Sequence, residues 1–80
     1  MDYYYVSKQA RDNGDHEIHK QGCRYMPLER YVQALGQFTH SVEALKEAKE
    51  LFPQANGCFY CCFHCHTDRP RREQLSDNLY

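Results

Sequence analysis

Apolar and polar positions along the 80-residue chain follow two rhythms, a two-residue alternation near the start and a helical spacing further on. Tyr3 to Lys8 is aromatic and β-branched, which suits a strand lying half buried on a pleated surface. Asp12-Asn13-Gly14-Asp15 follows, and Asn-Gly accepts the positive φ angles of a tight turn. His16 to Lys20 then alternates, with Ile18 on one face and Glu17 and His19 on the other. Residues 3–20 therefore read as a hairpin with a loose connection. Gly22 to Pro27 leads away as a turn and loop, since Pro27 disfavours helix at Met26.

Residues 28–33 carry the pattern of a short helical turn, and Ala34-Leu35-Gly36-Gln37-Phe38 that of a third strand, with Gly36 marking a weak point or a close backbone approach. The strongest element is a helix over residues 41–52. Ser41 is its expected N-cap, Glu43 complements the positive end of the dipole, and Pro53 ends it. Val42, Leu45, Ala48, Lys49 and Phe52 trace one face, widened by Ala44 and Leu51. Asn56-Gly57 is expected to turn the chain back into a cysteine-rich return segment, whose interleaved Phe59, Tyr60 and Phe63 have the look of a strand packed into a core. From Asp68 the sequence is polar with little periodicity. The pattern as a whole predicts one α+β domain over residues 1–67, a small antiparallel sheet of about three strands with one main helix (41–52), and a flexible tail over 68–80.

Charge narrows the function classes. The formal net charge is −1, and the basic run Arg69-Pro70-Arg71-Arg72 is balanced by Asp68, Glu73 and Asp77, so a nucleic-acid partner is not expected. No apolar run approaches the roughly 18 residues that span a bilayer, so no membrane partner is expected. The first residues lack the basic and apolar pattern of a secretory signal. The expectation is a monomer in a reducing, cytoplasmic setting, where thiols stay free or bind metal, with an unidentified protein as the partner class.

The five cysteines carry the chemistry. Four of them fall in two consecutive Cys-x-x-Cys pairs, Cys58/Cys61 and Cys62/Cys65, and the fifth closes His19-Lys20-Gln21-Gly22-Cys23. Two intervening residues let a tight turn aim both sulfurs at one centre, and four N or S ligands make a structural zinc site. The most economical set is His19, Cys23, Cys62 and Cys65; the alternative register uses Cys58 and Cys61 with the same His19 and Cys23. Two competing uses stand beside zinc. Free cysteine packs as a small buried hydrophobe, and disulfides form in oxidising settings, although an odd count fits a complete set poorly. His16, His40, His64 and His66 are expected to face solvent or to hydrogen-bond rather than to ligate.

Catalytic patterns are sparse. A thioredoxin-like dithiol sits at the N-terminus of a helix that lowers its pKa, whereas here no apolar-periodic helix follows the cluster. Nothing fixes a nucleophile, base and orienting group together, and no phosphate-binding glycine loop appears. The reading is a non-enzymatic domain stabilised by a structural zinc ion and acting in interaction or regulation, with thiol-based redox activity at Cys58–Cys65 as the alternative.

The order of motifs, from Tyr-Tyr-Val through Asn13-Gly14-Asp15-His16-Glu17-Ile18-His19-Lys20 and Gly22-Cys23, then Leu35-Gly36, Glu43-Ala44 and Asn56-Gly57-Cys58 with Tyr60-Cys61-Cys62, resembles a family of small uncharacterised bacterial proteins. More distantly, His19/Cys23, Phe38-Thr39 before Glu43-Ala44, and Cys62/Cys65 are similar in order to the metal-binding domain of the Ada DNA-repair protein. That resemblance implies a small α+β zinc fold. It does not imply methyl transfer, because the acceptor thiolate of that domain stands at the position His19 holds here, and an imidazole cannot take its part. Fold does not carry function with it.

Overall fold

The computed structural model describes residues 1–66; the tail expected over 68–80, and the last residue of the expected 1–67 domain, lie outside the described residues. Strand β1 (Asp2–Ser7) is followed by β2 (His16–Lys20), β3 (Val32–Phe38), helix α1 (Ser41–Leu51) and strand β4 (Ala55–Gly57), with single 3-10 turns at Glu29–Tyr31 and Phe63–Cys65. The strands form one sheet in the order β3-β1-β2-β4. β1 pairs antiparallel with both β2 and β3, while β4 runs parallel to β2.

The hairpin expectation holds. Val6 faces Ile18 and Tyr5 faces His19 across β1 and β2, and Gly14, at φ 90°, carries the connection. Within the connection, the Asp15 amide donates to Asn13 Oδ1 at 2.9 Å, the use of an Asn side chain that local turns favour. Gly36 marks a bulge. Tyr4 pairs with Gly36 but Tyr5 with Ala34, so Leu35 is an extra residue on β3, and Gly36 takes φ 111°, which only glycine adopts freely.

The sheet has four strands and is mixed, a correction to the three-stranded antiparallel expectation. Asn56-Gly57 is not the expected turn. The Asn56 side chain accepts from the adjacent Gly57 amide at 2.9 Å and also donates across the fold to Asp15 Oδ2 at 3.1 Å, and its strand lies in register with Glu17. Because β4 is reached through α1, it arrives parallel to β2, as a helical crossover requires.

Two further expectations shift. The N-cap of α1 is His40, whose backbone amide donates to Glu43 Oε1 at 3.2 Å, and Ser41 becomes the first helical residue. The helix meets the sheet through Ala44 and Ala48, both fully buried, with Leu45 and Phe52 packed alongside. Val42 and Leu51 are exposed. Small residues one turn apart let the helix backbone approach the sheet closely, and Val42, two residues before Ala44, is rotated about 200° away from it. Tyr4, Val6, Ile18, Ala55, Cys62 and Cys65 complete the core. Full burial of an aliphatic side chain such as Ile18 or Val6 contributes about 1.5–3 kcal/mol.

The aromatic residues of the return segment are not a core strand. Phe59, Tyr60 and Phe63 are exposed, and they pack on one another and on neighbouring rings, with Tyr60 stacked on Tyr25 at 4.2 Å between centroids. The interleaved rings that suggested a strand lie instead on two turns, which point the buried Cys58, Cys62 and Cys65 inward and the rings outward.

Candidate metal centre

Strand β2 places the first ligand. Alternation along a strand sends Ile18 to the helix-covered face and His19 to the opposite one, and His19 is nonetheless 1% exposed. Directly after the strand, Gly22 at φ 93° turns the chain so that Cys23 returns beneath it, its amide donating to the Lys20 carbonyl at 3.0 Å. Strand β4 places the rest. Its last residue, Gly57, lies in register with Ile18, and the next amide, that of Cys58, donates to the Ile18 carbonyl at 2.9 Å. Cys58 is thereby fixed beside His19, and the turn that follows brings Cys61 back towards them.

The result is a cluster of four ligand atoms, from His19, Cys23, Cys58 and Cys61, all within 4.8 Å of one another. His19 and Cys58 are buried, and Cys23 and Cys61 half-buried. His19 Nδ1 lies 3.8 Å from Cys61 Sγ. A tetrahedron with zinc–sulfur bonds near 2.3 Å has ligand–ligand edges of about 3.8 Å, so only small adjustments separate these atoms from a coordination shell. Soft thiolates with one imidazole are also the donor set that zinc takes in structural sites.

Backbone amides surround the sulfurs. The Lys20 amide donates to Cys61 Sγ at 3.2 Å. The Tyr25 amide reaches the Cys23 sulfur, and those of Tyr60 and Cys61 reach the Cys58 sulfur. Such bonds favour the charged thiolate, the form that binds metal. The balance differs by position. Cys61 is held down to about 3, first by a hydrogen bond from the Cys62 thiol and then by His19, the Lys20 amide and Cys23. Burial pushes Cys23 up to about 12, and burial also raises Cys58. The thiol protons of Cys23 and Cys58 thus have a defined cost to remove, while Cys61 is already ionised.

Cys62 and Cys65, the pair in the most economical set expected from sequence, occupy the core with Tyr4, Val6, Ile18 and the two helix alanines, and the pair brought to His19 and Cys23 is that of the alternative register, Cys58 and Cys61. Cys62 is raised strongly, chiefly because its proton is held in hydrogen bonds to Cys61 and Cys65. Cys65 is lowered to about 7, first by Cys62 and then, against the opposing effect of burial, by the Ser41 hydroxyl. All five cysteines are free thiols. His16 Nδ1 donates to the Ser7 carbonyl and its ring stacks on Phe52, and His66 Nδ1 donates to the Gly57 carbonyl at 2.7 Å, which are hydrogen-bonding rather than ligand roles.

One participant escaped the sequence reading. Glu17, two residues before His19 and on the same strand face, places Oε1 3.4 Å from His19 Nε2. Its other carboxylate oxygen accepts from Arg11 Nη1 at 2.6 Å. The alternation Glu17-Ile18-His19 was the available signal.

Among the described residues, no helix is long and apolar enough to cross a membrane. Comparisons with family models, curated proteins and solved structures returned no match.

Proposed function

We propose that this is a non-enzymatic domain whose fold is closed by a structural zinc ion held by His19, Cys23, Cys58 and Cys61, and that it acts through protein interaction or in regulation. One observation carries the reading: four zinc-type donors from two separate stretches of chain meet within 4.8 Å. Four protein ligands complete a tetrahedron and leave no open position for substrate or water, which distinguishes structural from catalytic zinc. Size supplies the need. A domain this small buries too little apolar surface for ample stability, and a metal linking distant segments offsets that shortfall. Here the ion would tie the β2 end to the β4 end.

The test separates the two cysteine pairs. Zinc affinity is measured by competition with a chromophoric chelator for the wild type and for Cys58→Ser, Cys62→Ser and Cys65→Ser. Structural zinc sites contribute about 10–16 kcal/mol of binding free energy. An equal share for each of four ligands is then about 2.5–4 kcal/mol, or roughly a hundred- to a thousandfold in affinity. Cys58→Ser is expected to lose that much, and the Cys62 and Cys65 variants to keep a 1:1 zinc complex. Loss confined to the Cys62 and Cys65 variants would overturn the assignment of ligands.

A further inference from the structure

A buried histidine at a metal centre has two ring nitrogens, and the one that meets the metal is decided by what holds the other. His19 Nδ1 faces the sulfur cluster, 3.8 Å from Cys61 Sγ. Nε2 points the opposite way, to Glu17 Oε1 at 3.4 Å. The ring is 1% exposed, so bulk water is not at hand to take the Nε2 proton. Glu17 in turn is anchored. Its second oxygen accepts a 2.6 Å hydrogen bond from Arg11, which projects from the connection between β1 and β2.

From this geometry we infer that Glu17 is a positioning residue for the metal centre: held by Arg11, it accepts the Nε2 proton of His19 in a hydrogen bond and so presents the Nδ1 lone pair to the ion. The inference rests on the zinc reading and names the residue outside the coordination shell that completes it. The 3.4 Å separation is an ion-pair contact about 0.2 Å beyond the usual upper limit for a hydrogen bond, and the inference places the shortened bond in the zinc-bound form. The charge arrangement is consistent throughout. A carboxylate beside Nε2 favours the tautomer with its proton there and offsets positive charge at the ion. Arg11 limits the freedom of that carboxylate at little cost to the fold, since its own side chain is 62% exposed.

The arrangement also explains why β2 is built as it is. Glu17 and His19 are two apart on a strand, so the pleat aligns their side chains on one face, while Ile18 between them enters the core. The strand thus supplies a core residue, a metal ligand and the group that orients it within three positions.

The experiment uses the purified protein with zinc as the probe. Zinc affinity by chelator competition is compared among wild type, Glu17→Ala and Arg11→Gln, and the protonation of His19 in the zinc form is read from long-range proton–nitrogen NMR correlations. Removal of groups that orient ligands in this way typically weakens metal binding 10–100-fold. Glu17→Ala is expected to fall in that range, and Arg11→Gln, whose exposed side chain makes misfolding a minor concern, to show a smaller loss in the same direction. In the wild-type zinc form the proton is expected on Nε2 with Nδ1 metal-bound. Zinc affinity within twofold of wild type in both variants, or metal on Nε2, would overturn the role of Glu17 while leaving the zinc site standing. A wild type that takes up no zinc would instead remove the reading on which the inference depends.

Discussion

Gly57 joins the sheet to the metal centre, and replacing it with alanine tests how tightly the two are packed. Its backbone is not in the left-handed region, so alanine meets no conformational penalty and the obstacle is steric. A Cβ built there would collide with the Cys65 sulfur and stand 2.6 Å from the Cys62 carbonyl oxygen and 3.0 Å from the Cys65 carbonyl carbon. The sulfur can rotate; the backbone atoms cannot. Restoring even a 3.0 Å contact to the Cys62 oxygen requires the 62–65 turn to move by about 0.4 Å, and overpacking of this kind costs about 1–3 kcal/mol. Since backbone must move, the upper part of that range, about 2–3 kcal/mol, applies. For a domain of 60–100 residues each kcal/mol shifts Tm by about 4–8 °C, giving an expected fall of about 8–24 °C. The assay is thermal unfolding by circular dichroism at saturating zinc, so that metal content is equal. A second variant, Gly57→Ala with Cys65→Ala, removes the sulfur but not the backbone contact and is expected not to recover the loss. A fall of less than about 4 °C, or recovery in the double variant, would refute the packing argument.

The titration of the cysteines gives two more predictions. Between pH 7 and 8, Cys23 (raised to about 12) and Cys58 (also raised) carry protons that zinc must displace, while Cys61 (lowered to about 3) carries none. Release of two protons means affinity that rises with pH, by about 100-fold per unit; a tenfold dependence or none in chelator competition would contradict this proton count. In metal-free protein at pH 5, a small disulfide probe is expected to modify Cys61 first, through the hollow of about 470 Å³ that it lines with Cys62, His40 and Ser41. Its thiolate fraction exceeds that of an ordinary thiol by about 10⁴, which outweighs the roughly 250–1,000-fold lower intrinsic reactivity of so acidic a thiol. Peptide mapping that finds Cys58 or Cys62 labelled first would reject it.

Local chemistry made much of this fold legible. Asn13-Gly14, the alternation from His16 to Lys20 and the Pro53 stop are signals confined to a few residues, and the hairpin and helix follow from them. The fourth strand was hidden because Asn56-Gly57 has the composition of a turn, and its extended form depends on Asp15, 41 residues away. The same long-range pairing brings Cys58 and Cys61 to His19. Cys-x-x-Cys spacing is equal in both pairs, so the preference for Cys62 and Cys65 had no local chemistry behind it; the bond from the Cys58 amide to the Ile18 carbonyl sets Cys58 next to His19, and the turn returning to the core carries Cys62 and Cys65 inward. The helix face was misjudged by residue size. Val42 and Leu51 look like core residues, yet close approach to the sheet is made by Ala44 and Ala48.

Zinc K-edge X-ray absorption on the purified protein, loaded with one equivalent of zinc under reducing conditions, tests the central claim most directly. The account predicts a four-coordinate shell of three sulfurs near 2.3 Å and one imidazole nitrogen near 2.0 Å. A shell of four sulfurs, a shell of nitrogen and oxygen alone, or no retained zinc would contradict it.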